Sequence, residues 1–137
     1  MDDIIRTMRI SGSGMRVQGQ RLRVIAQNIA NANSLPQDAN AKPYRRKIMT
    51  FKNEFDKATG MDQVRVHKVR PDMSAFGKRF DPNHPAADAD GYVLTPNVNS
   101  LIEMTDMREA QRSYEANLSV IKASKSMLNS AIDLLRQ

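Results

Sequence analysis

The sequence contains no cysteine and no tryptophan, and aromatic residues make up only 5% of its 137 positions. The missing thiols exclude disulfide staples, thiolate metal sites and cysteine nucleophiles together, which leaves the redox compartment open. With few aromatics, any core must be built from Met, Ile, Leu and Val, and such a core is modest. No apolar run approaches the roughly 18 residues of a membrane span. The opening MDDIIRTMRI has neither a basic n-region nor an apolar h-region, so a route other than a classical signal is expected if the protein works outside the cytoplasm. Gly-rich phosphate loops, a nucleophile elbow and paired glutamates are also missing, and Ser113 has no histidine near it in sequence. The expectation is a chain that is not an enzyme and that takes no cofactor and no small-molecule substrate.

What is present is uneven. The formal net charge is +6, and residues 1–49 hold nine Lys/Arg against three Asp/Glu, whereas residues 50–97 balance at seven each and residues 98–137 at five each. A basic segment can mark nucleic-acid binding, and a basic helical protein gripping nucleic acid through its N-terminal arginines is the alternative function. Sparse aromatics argue against stacking on single strands. Arg6, Arg9, Arg16, Arg21 and Arg23 would fall between the apolar positions of a helix, so a solvated face or a partner's acidic surface accounts for them without nucleic acid.

Residues 4–33 space Ile4, Met8, Ser11, Met15, Gln18, Leu22, Ile25 and Ile29 by alternating fours and threes, a helix with a coiled-coil period. Gly12, Gly14 and Gly19 interrupt it, each weakening a helix by about 1 kcal/mol relative to alanine. Residues 100–136 keep the same alternation through Met104, Met107, Gln111, Tyr114, Leu118, Ile121, Lys125, Leu128, Ile132 and Leu135, with neither Gly nor Pro. Its start is signalled by Pro96 and by Ser100 with Glu103 three residues on, the spacing of a capping box; Asn97 and Asn99 are alternative caps. A helix of about 37 residues is roughly 55 Å long, while a globule of this chain length has a radius of gyration of about 14 Å. Much of its apolar stripe must therefore meet another surface.

Between the helices, YRRKIMTF (residues 44–51) and VRVHKV (residues 64–69) alternate apolar and polar residues, as half-buried strands do. Five of the six prolines lie from Pro43 to Pro96, so turns are frequent. The expected fold is mainly α with a small β-rich insertion: long N- and C-terminal helices packed as a coiled-coil-like pair, a β-hairpin segment between them, and boundaries at 1–36, 37–96 and 97–137. The stretch FDPNHPAADADG places Asp81, His84, Asp88 and Asp90 within ten residues. It lacks both the closing Glu of a calcium loop and a paired His for zinc, so turn and cap chemistry is the expectation and no metal is assigned. His67 reads as a cross-strand neighbour.

Five stretches carry a more specific likeness: NIANANS (Asn28 to Ser34), PYRRK (Pro43 to Lys47), DPNHP (Asp81 to Pro85), GYVLTPNVN (Gly91 to Asn99) and EMTDMREAQRSYEAN (Glu103 to Asn117). Together, in this order, they resemble the FlgC family of flagellar basal-body rod proteins, within the rod/hook axial proteins, almost end to end. The resemblance implies a proximal rod subunit in the periplasm, exported unfolded by the flagellar type III apparatus, with terminal helices forming the inner layer of a tubular drive shaft and the β insertion outside. It implies as partners the rod proteins FlgB, FlgF and FlgG, the rod-base adaptor FliE, the membrane ring FliF and further copies of the chain itself. The packing residues expected from the two stripes are Ile4, Met8, Met15, Leu22, Ile25 and Ile29 against Met104, Met107, Tyr114, Leu118, Ile121, Leu128, Ile132 and Leu135. Asn28, Asn31 and Asn33 look like a family signature at the first helix end, and Asn97 and Asn99 at the start of the second; short amides suit such places by capping and by tolerating left-handed backbone.

Overall fold

The N-terminal heptad pattern becomes α1, Asp2–Ala30, in a computed structural model that describes residues 2–57 and 59–136. The Gly-free C-terminal pattern becomes α2, Ser100–Leu135, of 36 residues. Between them lie two antiparallel pairs: β1 (Lys47–Asp56) with β2 (Met61–Pro71), and β3 (Gly77–Phe80) with β4 (Tyr92–Thr95). The fold is thus helix-rich with a small β region between two long helices.

The alternating stretches lie largely in β1 and β2, and both strands run further than the alternation, to Asp56 and Pro71. A tight tip permits this: the amides of Thr59 and Gly60 both donate to the Asp56 carbonyl, and Gly60 adopts φ +64°, a left-handed conformation glycine enters without strain. β3 and β4 are four residues each, too short for alternation to reveal. Their pairing sets Phe80 opposite Tyr92, with the rings edge to face at 5.3 Å, a favourable aromatic geometry. At the other end Gly77 lies opposite Thr95, where an added Cβ would overlap the threonine hydroxyl.

The chain divides into two compact units, the first comprising Met1–Leu22, Thr50–Lys68 and Arg108–Gln137, the second Arg23–Met49 and Val69–Met107. In the first unit the buried positions are Ser11, Ser13 and Val17 of α1 and Ala110 and Ser124 of α2. Gly14 comes so close to Asn117 that a Cβ on it would lie 2.9 Å from the amide nitrogen. Glycine at this position thus makes room for the Asn117 side chain, and Arg21 adds an ion pair to Glu109 at 3.4 Å on the surface. In the second unit the buried positions are Ile25 and Asn28 of α1, Pro36 and Pro43 of the segment that follows it, Ala86, Gly91, Val93 and Pro96 of the β3–β4 region, and Glu103 of α2.

Candidate functional site

The most elaborate arrangement in the second unit is polar and begins with Asn28, two residues before the end of α1. Its carboxamide Nδ2 donates to the Lys47 carbonyl at 2.9 Å and to Glu103 Oε2 at 3.1 Å. Its Oδ1 accepts from the Lys47 amide and the Tyr44 hydroxyl, each at 2.9 Å. A primary amide offers two donors and two acceptor directions, and Asn28 uses all four while buried. Toward Lys47, the first residue of β1, it stands in for the peptide group of a neighbouring strand. Alternation along the extended backbone then sends Arg46, two residues from Tyr44, to Glu103 as well.

Arg46 Nε binds Glu103 Oε1, while its two terminal nitrogens reach Asp72 at 3.6 Å and Asp106 at 3.5 Å. The Glu103 side chain is 1% exposed and that of Arg46 25%. A carboxylate removed from water in this way is stable only with its partners in place. Burial would lower the Arg46 pKa; the Glu103 hydrogen bond and charge, with Asp72 and Asp106, more than offset this and hold it above its ordinary value. Burial pushes the Tyr44 phenol up, and the Glu103 charge adds to the rise.

Asp72 follows β2 and completes the ring. Its amide donates to the Arg46 carbonyl at 2.7 Å, and its side chain accepts from the Ser74 amide at 2.9 Å. That bond is the main cause holding its carboxyl below the usual range; burial opposes it, and the Ser74 hydroxyl and Arg46 reinforce it. Asn97 bridges the same strands, accepting from the Arg46 amide at 2.8 Å and donating to the Asp72 carbonyl at 3.0 Å and to Ser74. Arg45 donates to the carbonyls of Asp72 and Ser74 and lies 4.0 Å over the Phe76 ring, a cation–π contact. Four segments distant in sequence meet at this clamp: the end of α1, the entry to β1, the exit of β2 and the first turn of α2.

The helix-end asparagines divide the work. Asn99 caps α2, its Oδ1 accepting from Leu101 at 3.0 Å and Ile102 at 3.4 Å. Glu103 therefore does not close a capping box with Ser100; its carboxylate turns inward because Arg46 and Asn28 bind it more completely than one exposed amide would. Asn31 ends α1, with both its backbone amide and its Nδ2 donating to the Gln27 carbonyl, and Asn33 is exposed in the following turn. Among the described residues no non-glycine residue has positive φ, so these amides serve by hydrogen bonding and not by left-handed backbone.

Of the expected packing residues, Ile25 is buried, while Ile4, Met8, Met15, Leu22, Ile29, Met107, Tyr114, Leu118, Ile121 and Leu128 are half-buried and Met104, Ile132 and Leu135 exposed. The deepest positions of α2 are Glu103, Ala110 and Ser124, spaced in multiples of seven but small or polar. Periodicity in apolar residues could not find that row; periodicity in small ones could have. The acidic His loop is closed on itself. Asp88 accepts from the amides of Asp90 and Tyr92, and His84 Nδ1 from Ala86. Among the described residues no group of three His, Cys, Asp or Glu is placed to hold a metal.

Two family models match: "Flagella basal body rod protein" over residues 8–34 and "Flagellar basal body rod FlgEFG protein C-terminal" over residues 89–134. These spans include the Asn28 and Glu103 ends of the clamp. The chain is 49% identical over 136 residues to the flagellar basal-body rod protein FlgC of Agrobacterium fabrum, covering 99% of this chain and 98% of that one. It is 34% identical to FlgC of Salmonella typhimurium (96% and 97% covered) and 32% identical to FlgC of Bacillus subtilis (93% and 95% covered). Likeness of this extent, running through both helices and the strands between them, establishes that the chain belongs to the FlgC family of flagellar basal-body rod proteins, structural components of the basal-body rod.

Proposed function

We propose that this rod subunit polymerises through its terminal helices into the proximal part of a tubular drive shaft that transmits torque, and that it performs no catalysis. The observation that supports this best is the outer surface of α2, where Met127, Ile132, Leu134 and Leu135 are 61%, 43%, 73% and 79% exposed. Apolar side chains clustered on one helix end are the mark of an interaction site, and no helix among the described residues is long and apolar enough to cross a membrane. The expected partners are FlgB, FlgF and FlgG, the adaptor FliE, the ring protein FliF and other copies of the chain, with delivery by the type III export apparatus. Nucleic acid and small-molecule ligands have no part in this reading.

The half-buried stripe from Ile4 to Ile29 and from Met107 to Leu128 serves both the subunit and its neighbours. Replacing Leu118 or Ile121 with Asp would bury an unpaired charge and should abolish incorporation. Leu135→Asp is the cleaner variant, because Leu135 is exposed in the chain itself. Cells carrying it should export normal amounts of protein yet lack complete rods in electron micrographs of purified basal bodies. Normal swimming and complete rods would overturn the assignment of this surface.

A further inference from the structure

In the first unit a cavity of about 300 Å³ lies between α1 and β2, at the small end of the range for ligand clefts, roughly 300–1,000 Å³. Helical spacing brings Ser13, Val17 and Gln20 to one face of α1, with Arg16 beside them, and β2 contributes its residues 63–66. Val17 is 4% exposed, and Val64 and Val66 are half-buried. Walls that are partly apolar strengthen a charge interaction made against them. The guanidiniums of Arg16 and Arg65 border the space, and no carboxylate does.

The polar side chains there divide into committed and uncommitted ones. Ser13 Oγ donates to the Ile10 carbonyl at 2.7 Å, and Gln63 Nε2 donates to Asp56 and Thr59 at 3.1 and 3.3 Å. Their protons are taken within the fold. Arg16 and Gln20 are exposed, and neither side chain has a hydrogen-bond or ion-pair partner among the described residues. Arg65 reaches Glu54 only at 3.8 Å, with the two side chains 53% and 42% exposed, and Glu54 lies nearer to Lys52, at 3.3 Å. A surface contact of that length contributes little, so Arg65 can turn to a better-placed anion.

We infer that this cavity binds a phosphoryl group, as inorganic phosphate or as the phosphate monoester of a lipid headgroup. Each guanidinium presents a planar fork of N–H donors that matches two oxygens of an anion. A carboxylate has one such edge and satisfies one arginine. A tetrahedral phosphate dianion offers separate edges to Arg16 and Arg65 and balances both charges, and the Gln20 amide supplies a neutral donor. A ligand that ties α1 to β2 adds its binding free energy to the stability of the folded chain. The inference concerns the subunit by itself and stands apart from the rod role.

The test titrates the purified full chain with sodium phosphate, chloride holding the ionic strength fixed because bulk screening alone alters surface electrostatics. Saturable shifts of the Arg16 and Arg65 guanidinium NMR signals are expected, together with a rise in the unfolding midpoint. Arg16→Gln and Arg65→Gln should each weaken binding on the order of tenfold, the contribution of a hydrogen bond to a charged group. Arg9→Gln, on α1 but outside the cavity, should leave binding unchanged, and without phosphate all three variants should unfold like the wild type. Vesicles then distinguish the source. Co-sedimentation with phosphatidic acid but not phosphatidylcholine vesicles, abolished when both Arg16→Gln and Arg65→Gln are present, places the phosphate on a lipid. Vesicle binding that is absent or indifferent to the two replacements leaves inorganic phosphate as the ligand. A phosphate response that does not saturate, or that survives undiminished in the double variant, overturns the inference, and neither result touches the rod reading.

Discussion

In the second unit the ends of the two long helices meet through a saturated amide and a buried carboxylate, whereas in the first unit Gly14 of α1 makes room for the Asn117 side chain of α2 and the buried positions of α2 are the small residues Ala110 and Ser124. Small-residue packing specifies closeness but tolerates sliding, because one short side chain resembles the next along a heptad. A polar clamp tolerates almost nothing, since any shift leaves a buried donor or acceptor unpaired. The difference teaches what each kind of contact specifies: in the second unit the buried groups admit one register, and in the first the small residues specify closeness.

The sharpest way to break the contrast is to remove one half of the buried ion pair. Arg46→Met leaves the Glu103 carboxylate, 1% exposed, without its cation and should cost about 3–5 kcal/mol, the range for an uncompensated buried charge, read from urea-unfolding midpoints of the full chain. Glu103→Leu combined with Arg46→Met removes both charges and should cost far less than Arg46→Met; an equal loss would mean that packing and not charge balance governs the site. Next comes Asn28→Ala, which strands the backbone groups of Lys47 and should cost roughly 2–3 kcal/mol, since each buried polar group left unpaired is worth about 1–3 kcal/mol.

The first unit should respond in the opposite sense. Gly12→Ala adds helix propensity in open space and should stabilise the isolated chain by about 1 kcal/mol. Gly14→Ala should gain less, because its Cβ displaces the Asn117 amide. Thermal unfolding of the two variants side by side measures the gap, and identical gains would show that the close approach of the helices is dispensable.

The smallest effects are those of pH. Asp72 holds its proton more weakly when folded, so its contribution is complete above the ordinary carboxylate range near pH 4 and fades as pH falls through the lower folded value. Tyr44 holds its proton more tightly, so its contribution is complete below the ordinary phenol value near pH 10 and fades as pH rises through the higher folded value. Stability should be level between these limits. Asp72→Asn should flatten only the acid edge and Tyr44→Phe only the alkaline one, as read from unfolding midpoints across pH.

The helices were legible because their signal is long: eight heptad positions for α1 and ten for α2 outweigh three glycines. β3 and β4 were not, since four residues hold too few alternations to separate strand from loop. Glu103 was misread for a physical reason. Its spacing from Ser100 satisfies a local rule, and the residues that claim it instead, Arg46 and Asn28, lie 57 and 75 positions away, beyond any local pattern. The arginines of PYRRK counted toward charge, yet Arg46 and Arg45 act through geometry that only the fold supplies.

The 75-residue separation of Asn28 from Glu103 also has a temporal side. Bringing two such distant points together costs on the order of 4 kcal/mol in loop entropy, recovered only once the bonds at both ends form. A chain that emerges N-terminus first holds Asn28, Tyr44 and Arg46 ready but unsatisfied until the first turn of α2 appears. The clamp thereby reports whether the chain is finished: a polypeptide truncated before residue 103 has no way to close its second unit, and so no fixed register to offer a neighbour.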